Sequence, residues 1–186
     1  MLHCLGRTAR VALLLALLGA GMVVLARPDG ARSAPEEYAL KAAYLYNFVK
    51  YVDWPEERFA LPDEPYLVCV VGPDPFDVHL ARAVAGKTVR NRGFVLESHA
   101  SVSPELALCH VLFVSASSRL APRVLEATAS ESIVTVGEGD FARAGGVASF
   151  VRTDTGFRVE LNMRAARERG LRVSGRLQQV STIVGE

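Results

Sequence analysis

Apolar positions come in two periods along this chain. Residues 36–52 contain neither proline nor glycine, and their apolar side chains recur at about 100° per residue. Leu40, Ala43, Tyr44, Phe48, Tyr51 and Val52 fall on one broad face, which Leu45 and Val49 widen. The spacing predicts a helix over 36–52, ended by Asp53-Trp54-Pro55 because a proline disfavours helix at the residue before it. Asn47 lies at the margin of the apolar face and is expected to make a specific hydrogen bond. Tyr46 projects to the other side, with Lys50 nearby. Tyr46 and Trp54 are surplus to the apolar face and are candidates for contact with a partner.

Downstream the period shortens. Residues 66–71 (YLVCVV), 110–114 (HVLFV) and 133–136 (IVTV) are continuous apolar runs rich in β-branched residues. Such runs fit strands buried on both faces of a parallel sheet. Residues 88–98 alternate loosely and read as a strand nearer an edge. Helices are predicted from Pro75 to about residue 85, capped by Asp74, and from Ser117 or Ser118, either of which can cap, to about residue 129. Shorter helical turns are expected at 104–108 and 141–144. Residues 146–152 and 157–161 flank the polar link TDTG and form an antiparallel hairpin. Asn162 caps a helix over 163–169 that Gly170 stops, and a further short helix covers about 174–180. The whole reads as an α/β three-layer sandwich with a mixed, mostly parallel sheet and a C-terminal antiparallel hairpin.

Composition changes this picture at the amino terminus. Half of the 186 residues are hydrophobic, and part of that excess lies at 11–25, an unbroken run of apolar and small residues behind Arg7 and Arg10. This is the pattern of a secretory signal, shorter than the roughly 20 residues of a membrane span. Residues 1–26 are read as the signal peptide, with cleavage after Ala26 or as late as Ser33; an uncleaved inner-membrane anchor is the alternative. Residues 27–34 are a flexible lead-in, and 35–186 a single domain. The formal charge of the whole chain is +1; from residue 27 onward 19 basic residues face 20 acidic ones, a charge of −1. That excludes the basic footprint of a nucleic-acid binder. Export to an oxidising compartment leaves Cys69 and Cys109 as an even pair, read either as a bridge or as two buried thiols.

Catalytic chemistry is not evident. There is no G-x-S-x-G elbow and no P-loop. Cys109 and His110 are neighbours on a strand and point to opposite faces. His79, His99 and His110 lie on separate elements without metal-ligand spacing. No catalytic residue, metal or cofactor is therefore assigned. Gly72-Pro-Asp-Pro, Ser115-Ala-Ser-Ser118 and Gly137-Glu-Gly-Asp140 each follow a buried strand and would meet at the carboxyl edge of a parallel sheet, where open α/β folds bind ligands. Asp74, Ser117, Ser118 and Gly139 are the candidate ligand-binding residues. Asp74, Asp77, Glu138 and Asp140 are read as capping and solvated loop acids. Arg164, Arg167, Arg169, Arg172 and Arg176 crowd the C-terminal part, and Arg164 and Arg167 are candidates for docking an acidic partner surface.

KAAYLYNFVKYVDWP, CVVGPDPF, CHVLFVSAS, VTVGEGDFARAGG and RVELNMRAARERGLRVSGRLQQV occur in an order that resembles the YfiR family of exported bacterial regulators. The resemblance spans nearly all of the chain after the signal. It implies a non-enzymatic periplasmic protein that restrains a membrane diguanylate cyclase, and so cyclic di-GMP output, by binding that enzyme's periplasmic sensor part. A sensor kinase is the other partner class. It further implies an outer-membrane lipoprotein that sequesters the regulator, a homodimer, and a Cys69–Cys109 disulfide. A second bridge found in the family has no counterpart here, because residues 137–156 contain no cysteine. A periplasmic small-ligand binder using the strand-end loops is the alternative function.

Overall fold

The computed structural model describes residues 34–185. The export signal over 1–26, its cleavage sites and nearly all of the lead-in lie outside the described residues. Helix α1 (Ala34–Tyr51) runs for 18 residues, about 27 Å at 1.5 Å per residue. The two-residue strand β1 (Val52–Asp53) follows it directly. The main sheet is built from β2 (Tyr66–Val71), β3 (Phe94–His99), β4 (Val111–Val114), β5 (Val134–Glu138), β6 (Ala148–Thr153), β7 (Gly156–Asn162) and β9 (Thr182–Val184). The spatial order is β3-β2-β4-β5-β6-β7-β9. Every neighbouring pair is parallel except the β6–β7 hairpin. β8 (Arg172–Val173) pairs antiparallel with β1 in a separate two-stranded sheet. The mixed, mostly parallel α/β sandwich is thus the observed architecture.

Helices α2 (Val78–Val84), α3 (Ala121–Ala127), α4 (Met163–Glu168) and α5 (Gly175–Gln179) complete the layers. The larger core lies on the face covered by α1: Leu45, Phe48 and Val49 pack there with Val68, Val70, Val111, Phe113, Val134 and Phe150. The smaller core lies on the opposite face, where Val124 of α3, Leu106 and Phe141 cover Cys69, Val71, Leu112 and Val114. Alternation along β2 and β4 sends odd and even residues to different cores, as the pleat requires. A disulfide joins Cys69 to Cys109, with Cα atoms 6.0 Å apart, and closes the smaller core.

Several local expectations need correction. The buried arc of α1 is centred on Ala42, Leu45, Phe48 and Val49, whereas Ala43 is exposed and Tyr44 and Tyr51 are half-buried. Tertiary packing rotated the helix because Lys41 also faces inward. Among the described residues Asn47 makes no side-chain hydrogen bond. Asp74 does not cap a helix: its Oδ1 accepts from the Phe76 amide at 2.8 Å and closes a local turn, and α2 begins only at Val78. Ser117 and Ser118 lie in a 3₁₀ turn that ends before α3 starts at Ala121. The cap at Asn162 does form, accepting from the Ala165 amide, and Ser174 caps the last helix by accepting from the Leu177 amide. Trp54 belongs to the core: it is 6% exposed and its ring packs against Tyr66 and His110. Its burial removes it from the candidates for partner contact.

Candidate functional site

α1 starts at the carboxyl end of the parallel strands, so its first turns face the end of β5. Glu37, Tyr38 and Lys41 stand there opposite Glu138, the last residue of that strand. Lys41 is only 3% exposed. Its Nζ lies 2.6 Å from Glu37 Oε1 and 2.5 Å from Glu138 Oε1. A buried ammonium is tolerable only with such partners, since desolvation penalises an unpaired charge by several kcal/mol. The Tyr38 hydroxyl donates to Glu138 Oε1 at 3.2 Å. Burial, then the charge of Glu138, pushes the Tyr38 hydroxyl up to about 12, so it remains a donor at physiological pH. Arg152 reaches Glu37 at 3.5 Å from a largely exposed position. The Phe150 and Phe157 rings line the other wall, and Lys41 lies 4.4 Å above the Tyr38 ring. Together these residues and Gly139 enclose a cavity of about 340 Å³. Two cations face two carboxylates, an arrangement that presents both signs of charge beside aromatic surface.

Sequence reasoning missed Lys41 and Glu37. The signal was present: Lys41 precedes Leu45 by four residues and Val49 by eight, so it extends the buried stripe, and Glu37 is its i−4 neighbour. Glu138 was read as a loop acid, although it ends a strand.

The four strand-end candidates divide. Gly139 lines the cavity. Asp74, Ser117 and Ser118 do not line it, and their polar atoms are used within their own loops. Ser117 Oγ lies 2.9 Å from Ser115 Oγ, and Ser118 Oγ donates to the Ser115 carbonyl at 2.6 Å while accepting from the Leu120 amide. The first two loops do touch. Gly72, at φ +89°, packs so closely on Ser118 that a Cβ there would overlap it, and the left-handed backbone favours glycine independently.

The candidate partner residues are also separated. Tyr46 is half-buried, with its ring 5.7 Å from Phe94 on edge strand β3 and Lys87 4.4 Å above it. Arg164 and Arg167 are exposed on α4, next to the other edge: the Arg164 amide donates to the Gly185 carbonyl just beyond β9. Arg164 lies 3.7 Å from Glu168, whereas Arg169 is buried and donates to the Ala165 carbonyl.

A wider cavity of about 710 Å³ opens at the amino end of the sheet, where Trp54, Phe59 and Tyr66 meet Arg90, Arg92 and Arg172. Arg90 is tied to Asp53. Arg92 stacks on Phe59 at 3.8 Å and donates to the Leu61 and Glu64 carbonyls. Behind them His110 accepts from the Leu67 amide through Nδ1, which places its proton on Nε2. Burial, then the charge of Arg58, lowers His110 to about 4, so the ring is neutral.

The architecture is a mostly parallel α/β domain whose cavities hold compensated charges beside aromatic rings. More particularly, the chain belongs to the YfiR/HmsC-like family (DUF4154), which it matches over residues 38–182. The family is regulatory and non-catalytic, it is periplasmic, and membership supports a role as a periplasmic regulator of diguanylate cyclase signalling. Among the described residues no helix is long and apolar enough to cross a membrane. No curated protein matches the chain. Among solved structures it is similar to the ABC domain in complex with L-Trp from Streptococcus pneumonia, at 11% identity and a TM-score of 0.50. The match covers 77% of this chain and 60% of that one, so the chain spans less than two thirds of its length. At that identity the likeness concerns the fold alone.

Proposed function

We propose that the mature protein binds the periplasmic sensor part of an inner-membrane diguanylate cyclase and restrains its output. Family membership across residues 38–182 carries this reading. Arg167 supports a docking role, because its guanidinium is exposed and carries no ion pair among the described residues. Tyr46 and Arg164 are the further contact residues in this proposal. A sensor kinase is the competing partner class. Assembly as a homodimer and sequestration by an outer-membrane lipoprotein belong to the same proposal. Affinity capture from membranes should recover a cyclase with a periplasmic domain, and deletion of the gene should raise cyclic di-GMP. Arg167→Glu should lose both effects while the protein folds normally. Unchanged cyclic di-GMP together with no recovered cyclase overturns the reading, and recovery of a kinase instead replaces the partner class.

A second reading rests on the carboxyl-edge cavity. Its volume falls within the range of small-ligand sites, roughly 300–1,000 Å³, and Lys41, Arg152 and the two carboxylates suit a small acid or zwitterion. The solved structure of similar fold is described as a complex with L-Trp. Such a ligand would tune partner binding rather than replace it. Titration calorimetry against amino acids, nucleotides and small acids tests it. A flat response to all of them, or binding unchanged in an Arg152→Ala variant, removes the site.

A further inference from the structure

The smaller core contains a set of metal-ligand side chains that the chain order conceals. Cys69 lies in β2 opposite Glu97 of β3. Paired positions on adjacent strands share a face, and His99, two residues beyond Glu97, returns to it. Cys109 reaches the same face through its bond to Cys69. Both sulfurs and a ring nitrogen of His99 lie within 4.8 Å of one another. Both cysteines are fully buried, and the His99 side chain is 16% exposed. His99 Nε2 is buried and makes no hydrogen bond among the described residues, although Glu97 Oε2 stands 3.3 Å away.

We propose that Cys69, Cys109 and His99 form the core of a Zn²⁺ site that the disulfide masks and reduction opens, with the half-exposed carboxylate of Glu97, beside His99, turning in as the fourth ligand. The residue types are those of tetrahedral zinc: two thiolates, an imidazole and a carboxylate. Nitrogen and oxygen ligands at about 2.0–2.1 Å from a tetrahedral ion stand about 3.3 Å apart, the separation His99 and Glu97 already have. Two thiolates at about 2.3 Å from the ion stand about 3.8 Å apart. The Cα atoms are 6.0 Å apart, and in the proposal the two cysteine side chains rotate to open the sulfurs to that separation. The oxidised pair cannot serve, because the thiolate is the metal ligand. Opening the site requires a dithiol reductant. It passes two electrons and two protons to the bridge, the Cys69–Cys109 bond breaks to two thiols, and the reductant becomes a disulfide. Zinc then displaces both thiol protons to solvent and is held as the dithiolate. The ion replaces the covalent tie across the smaller core, so that core stays closed when the bridge is lost.

The test uses the mature protein, oxidised and then reduced with a thiol-free phosphine. Co²⁺ is added as the probe, since thiolate ligation gives a charge-transfer band in the near ultraviolet, and Zn²⁺ is used to displace it. The reduced protein should bind one ion per chain and show the band, whereas the oxidised protein should show none. His99→Ala should weaken binding about tenfold or more. Zinc-loaded reduced protein should also react with a disulfide reagent about tenfold more slowly than the metal-free form. Circular dichroism follows the fold throughout: a reduced chain that unfolds should refold on adding Zn²⁺. The proposal fails if the reduced protein binds no Co²⁺, if His99→Ala binds as tightly as wild type, or if zinc neither protects the thiols nor restores the fold.

Discussion

Two buried ions in this protein are near mirror images. Lys41 is a cation between two carboxylates, Glu37 and Glu138. Glu160 is a carboxylate, 0% exposed, between two arginines. Arg143 grips it with two bonds of 2.9 Å and Arg158 adds one of 2.8 Å. The difference lies in the partners. Arg143 and Arg158 are half-exposed, so their charges keep much of their hydration. Glu37 is nearly as buried as Lys41, and the Lys41 cluster lines a cavity. Glu160 is a clamp on the β6–β7 hairpin. Lys41 is a buried, doubly paired charge beside open space.

The sharpest way to break this comparison is to remove each central charge. Lys41→Met strands two carboxylates, one of them almost fully buried, and should cost about 3–5 kcal/mol in chemical denaturation. Glu160→Gln keeps the volume and leaves two arginines that can turn to water, so its cost should be smaller, about 1–2 kcal/mol. Equal losses would erase the distinction.

His110 extends the comparison to a buried group with no counter-ion. Its pKa is lowered to about 4, against an ordinary value of 6.5. Between those values the unfolded chain takes up a proton that the native chain refuses. Stability should therefore fall as the pH drops from 6.5 toward 4, by roughly 2–3 kcal/mol in all, and urea midpoints across that range measure it. His110→Leu should flatten the slope. Glu160 behaves differently: the bonds from Arg143, helped by Arg158, hold its carboxyl below the usual range. Its contribution is intact above the ordinary carboxylate pKa and is lost only as the pH falls through its lowered value. Glu160→Gln should therefore change the acid limb below pH of about 4 and leave the His110 window untouched.

The smallest effect expected is that of Tyr38→Phe. It removes the hydroxyl bond to Glu138 and keeps the ring against Phe76. Thermal unfolding should register about 1 kcal/mol. If the cavity binds small acids, the same substitution should change their affinity more than it changes stability.

The three central strands were readable because continuous β-branched runs have few other stable outcomes, and the hairpin because TDTG links two alternating segments. The short strands β1, β8 and β9 were not, because two or three residues carry no period. α1 was recognised but its orientation was misjudged. Periodicity weighs apolar residues and gives no weight to a lysine that will find two carboxylates. Tyr46 on the one hand and Arg164 and Arg167 on the other are separate candidates for partner contact in sequence terms, and the sheet order sets them beside opposite edges.

The sequence by itself determined the α/β alternation, the cap at Asn162, the family resemblance and the pair of cysteines available for a bridge. These depend on local geometry or on residue order. Only the tertiary structure decided which side chains meet across the sheet: Lys41 with Glu138, 97 residues apart, Glu160 with Arg143, and His99 with the Cys69–Cys109 bridge. Each meeting depends on strand order and register. Those are fixed by the cooperative burial of both sheet faces, which no single segment encodes.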